Sequence, residues 1–145
     1  MSKAINNLKF IAPATQENVN IVSASIATIL ETINATKKER QDFTCAVEEA
    51  LNNVVDHAYI GNNYEYNKVV VDVKVYDDRK IIVKVSDKGR GIQNVSEARS
   101  PLYSTGCEDK HSGMGFTIME AFANLVEVKS IPGAGTTVKL TLLLT

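Results

Sequence analysis

The sequence has little of what small stapled scaffolds or membrane proteins depend on. Its 145 residues include 2 cysteines, and Cys45 and Cys107 form no C-x-x-C pair. That excludes a disulfide framework and points to a reduced, cytoplasmic compartment. No apolar run of about 18 residues occurs, so no membrane-spanning helix is expected. The first residues, MSKAINNLKFIAPATQ, have no apolar run of signal-peptide length. Charge of one sign is lacking as well: 16 Lys and Arg stand against 17 Asp and Glu, a formal net charge of −1. A sequence pI of 6.1 carries no electrostatic footprint for duplex nucleic acid or an anionic membrane. Internal repeats and low-complexity tracts are also absent.

What is present is ordinary for a globular chain. Hydrophobic residues make up 44% and charged residues 23%, which excludes a disordered or collagen-like chain. A chain of this length is expected to be a single domain over 1–145, burying about two-thirds of its surface.

Periodicity supplies the elements. Leu8, Phe10 and Pro13 predict a short first strand ending at the proline. Val19, Val22, Ile26, Ile29, Leu30 and Ile33 recur at helical spacing and predict a helix over about 16 to 34. Phe43, Val47, Ala50, Leu51, Val54, Val55 and Ala58 predict a second, over about 37 to 59. Val69, Val71, Val73 and Val75 alternate with Val70, Asp72 and Lys74, the period of a strand with one largely polar face. Asp77-Asp78-Arg79 is turn chemistry, and Ile81, Val83 and Val85 complete a hairpin. Residues 87 to 112 form the longest irregular stretch, and loops of that length are usually functional or mobile. A short helix, Phe116 to Phe122, and two strands, Leu125 to Ser130 and Thr136 to Leu144, follow. Helices do not alternate singly with strands, so a Rossmann-type parallel sheet is not expected. The predicted class is α+β. It is a two-layer sandwich with helices on one face of a mixed, mostly antiparallel sheet and the other face partly open.

Four segments can carry chemistry. On the second helix, Glu49, Asn53 and Asp56 fall within about 60° of one another, opposite Val47, Ala50, Leu51, Val54 and Ala58. Glu49 or Asp56 alone fits a solvated face. The adjacent asparagines are harder to dismiss, since each costs a few tenths of a kcal/mol against Ala inside a helix. An amide oxygen one turn from a carboxylate suits a hard cation beside a general base. Magnesium takes few protein oxygens, so one Asn is enough where a nucleotide supplies phosphates.

Asp87-Lys88-Gly89-Arg90-Gly91 follows a strand directly. Gly89 and Gly91 allow a ligand to approach the backbone, and Asp87 can accept from an exocyclic amine. A strand-ending turn is the plain alternative. Ser112-Gly113-Met114-Gly115-Phe116 opens a helix whose N–H groups suit phosphate, or it is an ordinary cap. No G-K-[ST] follows, so it is not a Walker A loop. Gly133-Ala134-Gly135-Thr136-Thr137 reads as a hairpin turn whose Thr hydroxyl can join Asp87 around a base.

The order of these motifs is more specific than any one of them. Helix E-x-x-x-N, then D-x-G-x-G, a long loop, G-x-G-F and G-T resembles the N box, G1 box, lid, G2 box and terminal Thr of the GHKL ATPase/kinase superfamily. Within it, Glu97-Ala98-Arg99-Ser100-Pro101-Leu102-Tyr103-Ser104-Thr105 and Ser112-Gly113-Met114-Gly115-Phe116-Thr117-Ile118-Met119-Glu120 resemble the serine kinases of the anti-sigma-F factor family. The resemblance covers about residues 8 to 142.

It implies a Bergerat-type ATP-binding fold with a lid over about 93–112. By resemblance, Glu49 matches the catalytic base that accepts a serine proton, and Asn53 matches the Mg2+ ligand. Asp87 matches the carboxylate that reads the adenine amine, and Thr136 the hydroxyl sharing its water. Gly89 and Gly91 line the pocket. Ser112, Gly113, Met114 and Gly115 form the string that approaches the phosphates of ATP or ADP. Where the branch usually places an Arg before S-G-M-G, this chain has Lys110 and His111 as possible lid phosphate contacts.

The implied partners are a sigma factor, a STAS-domain anti-anti-sigma antagonist that is the phosphorylation substrate, and a second copy of the chain. ATP and ADP states would differ in partner choice through the lid. A binding-only, nucleotide-gated regulator is the alternative, and His111 is the residue that favours it. A split histidine kinase is disfavoured, since no dimerisation helix carries a phospho-acceptor His. The remaining singletons read as bland: His57 as a surface or supporting residue, Cys45 as packing, Cys107 as a thiol in the lid. Tyr59, Tyr64 and Tyr66 cluster around a loop, without the basic interleaving that nucleic acid needs.

Overall fold

A computed structural model describes residues 2–60, 67–99 and 114–145. The elements are β1 (Ala4–Pro13), α1 (Gln16–Thr32), α2 (Lys37–Asn53), a π-helical segment (Val54–Ala58), β2 (Lys68–Tyr76), β3 (Lys80–Ser86), α3 (Val95–Ala98), α4 (Gly115–Phe122), β4 (Leu125–Ile131) and β5 (Gly135–Leu143). The strands form one sheet in the order β1-β2-β3-β5-β4. Every pairing among the described residues is antiparallel, narrower than the mixed sheet expected from the sequence. None of the described helices is long and apolar enough to cross a membrane.

The first two helices start on local caps. Thr15 accepts from the Asn18 N–H and caps α1. The helix ends at Asn34, whose φ of 59° is the left-handed conformation Asn tolerates, with the Ala35 N–H returning to the Leu30 carbonyl. Thr36 and Glu39 form a reciprocal capping box at the start of α2, satisfying two otherwise unpaired donors. The β2–β3 turn docks on the end of α1. There Arg79 donates to the Ile33 carbonyl at 3.0 Å and to the Asn34 carbonyl at 3.3 Å.

The core lies between the helices and one face of the sheet. Ile26 and Leu30 of α1, Phe43, Val47 and Leu51 of α2, and Met119 of α4 are fully buried. They meet Val71 and Val73 of β2, Ile81, Val83 and Val85 of β3, and Leu140 of β5. The intervening residues, such as Lys74 and Lys84, lie exposed on the open face, as the period-2 pattern requires. The central helix, α2, packs on both α1 and α4.

Three boundaries differ from the sequence reading. β1 begins at Ala4, because its first residues pair with β2 although almost all of them are exposed and carry no core pattern. The stretch after β3 contains the one-turn helix α3, whose start is capped by Asn94 accepting from the Glu97 N–H at 3.0 Å. The second helix does not continue as α-helix to residue 59. After Asn53 it winds as a π-helix to Ala58, so the 100° wheel that grouped Asp56 with Glu49 and Asn53 fails from Val54 onward.

Candidate functional site

The face of α2 opposite α1 carries Glu49 and Asn53 one turn apart, both half-buried. The first residue of α4, Gly115, lies directly against them. A Cβ on Gly115 would stand 3.3 Å from Asn53 Oδ1 and 3.4 Å from Glu49 Oε2. The small residue is therefore what lets the start of α4 come this close to a carboxylate and an amide. Met114, at the N-cap, supplies no side-chain hydrogen bond. The start of α4, with the positive end of its dipole, thus lies beside Glu49 and Asn53. A carboxylate, an amide oxygen and backbone donors in one crevice can bind a proton, a hard cation and an anion side by side. Among the described residues no three of His, Cys, Asp and Glu cluster to hold a metal alone. A cation at Asn53 would take most of its shell from phosphate and water.

The second group sits where α2 ends. The π turn brings the Ala58 carbonyl to the loop after β3, where it accepts from the Arg90 N–H at 2.7 Å. Gly89 is packed against the same carbonyl, and a Cβ there would lie 2.0 Å from the Ala58 oxygen. The wider winding and the glycine are two halves of one contact. Tyr59 locks it: its hydroxyl donates to the Lys68 carbonyl at 2.6 Å and accepts from the Lys88 N–H at 3.0 Å.

Asp87 leaves β3 on its helix-facing side. Its Oδ1 accepts from the Gly89 N–H at 2.8 Å, and its own N–H donates to the Thr136 carbonyl at 2.9 Å. Burial pushes the Asp87 carboxyl above its ordinary range, against backbone hydrogen bonds from Gly89 and Thr136 that pull it down. Gly135, at φ 133°, brings the β5 backbone onto Asp87: a Cβ there would be 2.2 Å from the Asp87 carbonyl oxygen. Gly91 is pressed against Ile131 in the same way.

The structure thus gathers Glu49, Asn53 and Gly115 into one crevice, and Asp87, Gly89, Gly91 and Thr136 around the end of the same helix. The Thr136 hydroxyl is bonded to Ser130 at 2.9 Å. Lys110, His111, Ser112, Gly113 and Cys107 lie outside the described residues. Cys45 is half-buried, and burial followed by the nearby Glu49, Glu48 and Asp42 carboxylates pushes its thiol pKa up. That favours packing over nucleophilic chemistry.

Sequence reasoning missed three residues here. Tyr59 is a strut between the start of β2 and the loop after β3; Tyr64 and Tyr66 lie outside the described residues. Arg99 donates to the Glu120 carboxylate at 2.7 Å and to the Val126 carbonyl at 3.1 Å, tying the end of α3 to α4 and β4. Ser130 carried a legible signal: it occupies the core-facing period of β4 after Val126 and Val128, where a polar residue needs a partner.

Comparison with known proteins bears on the family and the fold. The histidine kinase-like ATPase domain family matches residues 12–142. An anti-sigma F factor of Caldanaerobacter subterraneus subsp. tengcongensis is 35% identical over 136 residues, 92% of this chain and 90% of that protein. One from Clostridium acetobutylicum is 36% identical over 129 residues, 89% of this chain and 86% of its own. Among solved structures, the Pseudomonas aeruginosa SiaB–SiaC complex superposes with a TM-score of 0.68 at 14% identity, covering 96% of this chain and 89% of that one. The RsbU and RsbW domains of a Mycobacterium tuberculosis protein give 0.69 at 22% identity, over 96% of this chain and 32% of that longer polypeptide. At such identities these two show a shared fold.

Proposed function

This chain belongs to the histidine kinase-like ATPase domain family and, within it, to the anti-sigma F factors, and from that premise we propose that it is a nucleotide-dependent anti-sigma factor with protein serine kinase activity. It acts in the cytoplasm as a homodimer. It holds a sigma factor away from RNA polymerase and, with Mg-ATP, phosphorylates a serine of a STAS-domain antagonist. The observation that carries the reading is the meeting of Gly115 with Glu49 and Asn53 at the start of α4.

Each residue then has a task. Asp87 accepts from the adenine amine. The backbone of the α4 start, with Gly115 adding no side chain there, donates to phosphate oxygens. Asn53 offers its amide oxygen to Mg2+, which supplies charge neutralisation on the phosphates when bound. Glu49 takes the proton of the incoming serine hydroxyl as the new O–P bond forms and the bond to ADP breaks. Such a transfer needs positioned groups and stabilised charge more than covalent help, which matches what the crevice holds.

The test is transfer of label from γ-labelled Mg-ATP to a cognate STAS-domain antagonist, with wild type beside Glu49→Ala. Acid-stable serine label that vanishes in the variant is the expected result. Full labelling by Glu49→Ala would remove Glu49 as the base, and acid-labile label would point to phosphohistidine. No label, with calorimetry still showing Mg-dependent ATP binding, would leave a nucleotide-gated sequestering protein. The His111 in place of the usual Arg fits that second reading.

A further inference from the structure

Resting on the nucleotide-binding part of that reading, we infer that Ser130 is a specificity-determining positioning residue. It orients the Thr136 hydroxyl so that the base pocket presents hydrogen-bond acceptors only, and so selects a base with an amine at that edge.

The argument is a proton count. A serine hydroxyl has one proton to give and two lone pairs to accept with. Ser130 Oγ has three partners within reach: the Ile92 N–H at 2.7 Å, the Gly135 carbonyl at 3.2 Å and the Thr136 hydroxyl at 2.9 Å. The Ile92 amide can only donate, and the Gly135 carbonyl can only accept. All three bonds coexist in one arrangement: Ser130 gives its proton to Gly135, and Thr136 gives its proton to Ser130. The Thr136 proton is then turned inward, and only lone pairs remain for a ligand.

Asp87 stands beside it. The two residues are joined through the Asp87 N–H to Thr136 carbonyl bond at 2.9 Å, and Gly135 closes the gap between their backbones. A carboxylate offers about four acceptor positions. The backbone donors of Gly89 and Thr136 use part of that capacity and leave the rest. Both polar groups at this edge are therefore acceptors. An amine, or a water held by one, donates to them. A carbonyl at the same place on the base meets only lone pairs. Ser130 touches neither the base nor the phosphates in this account; it acts by fixing which way one hydroxyl points.

The experiment measures dissociation constants of Mg-ATP and Mg-ITP by calorimetry for wild type, Ser130→Ala, Ser130→Thr and Thr136→Val. Inosine differs from adenosine in carrying a carbonyl in place of the amine and a proton on the adjacent ring nitrogen. Wild type is expected to prefer ATP. Ser130→Ala frees the Thr136 proton to face the base, so the ATP-to-ITP preference should fall about tenfold, the factor carried by one hydrogen bond. Ser130→Thr keeps the hydroxyl and should restore the wild-type ratio. A merely structural role would weaken both nucleotides together and leave the ratio unchanged, and that result overturns the inference. Should Ser130→Ala fail to fold, Thr136→Val removes the oriented hydroxyl by itself. An unchanged ratio there overturns the inference equally. Wild type that binds neither nucleotide would sink the nucleotide reading, an outcome distinct from binding with an unaltered ratio.

Discussion

Replacing Gly115 with Ala sets fold stability against function. Gly115 opens α4 and has no left-handed φ, so an Ala fits its backbone. In a helix Ala is favoured over Gly by about 0.5–1 kcal/mol. The new methyl would meet Asn53 Oδ1 at 3.3 Å and Glu49 Oε2 at 3.4 Å, tight contacts with the ends of two half-buried side chains. Those ends can yield by a few tenths of an ångström. The folded state should therefore be as stable as wild type or gain up to about 1 kcal/mol, an upward shift in Tm of about 2–4 °C at most for a chain of this size. The same methyl fills the gap between carboxylate, amide and helix start. A displacement of about 1 Å at reacting groups can cost a hundredfold in rate. Calorimetric melting, Mg-ATP titration and phosphate transfer on one preparation separate the two effects. A raised or unchanged Tm with transfer down at least about tenfold is expected. Wild-type ATP binding and transfer would show that the crevice is not the phosphate site. A lowered Tm with activity lost in proportion would show that the contact is not as forgiving as argued.

Two further predictions concern the other half of the site. Burial raises the folded pKa of Asp87 above its unfolded value, so the folded state holds the extra proton in the window between them. The resulting stability is fully present below the unfolded pKa and is lost as pH rises through the folded one. ATP binding runs the opposite way, weakening as pH falls through the same pKa because a protonated carboxyl gives up acceptor capacity. Asp87→Asn should abolish both slopes while weakening ATP by about 10- to 150-fold, the range for a hydrogen bond to a charged group. Denaturation midpoints and ATP titrations across pH 4 to 8 test this, and wild-type stability that rose through the window would contradict it. Gly89→Ala should behave unlike Gly115→Ala. Its Cβ would sit 2.0 Å from the Ala58 oxygen, backbone that cannot step aside. A loss of about 1–3 kcal/mol, read by urea denaturation, is expected, and an unchanged midpoint would refute the close docking of loop and π turn.

Much of the architecture was legible because it rests on local periods. The apolar faces of α1 and α2, the alternation of β2 and β3 and the short α4 follow from backbone geometry repeated every 3.6 or 2 residues. Glu49 and Asn53 could be placed on one helix face for the same reason. The start of β1 was not legible, since residues pairing at an exposed edge need no core pattern. Nor was the antiparallel order β3-β5-β4, which depends on which edge the last hairpin meets. The π turn was invisible as well. Nothing in Val54-Val55-Asp56-His57-Ala58 forbids an α-helix, and the wider winding accompanies the docking of Gly89 and Arg90 on Ala58.

The order of residues alone fixed which side chains are available: a carboxylate and an amide one helical turn apart, an acidic residue at a strand end, and glycines where backbone must stay bare. It did so through short-range spacing and the ordered motifs that tie the chain to its family. Packing in three dimensions alone sets Gly115 against Glu49 and Asn53 and brings the Thr136 hydroxyl to that of Ser130. These residues are distant in the chain, and their meeting depends on how helices and strands pack over one core. No local period encodes that.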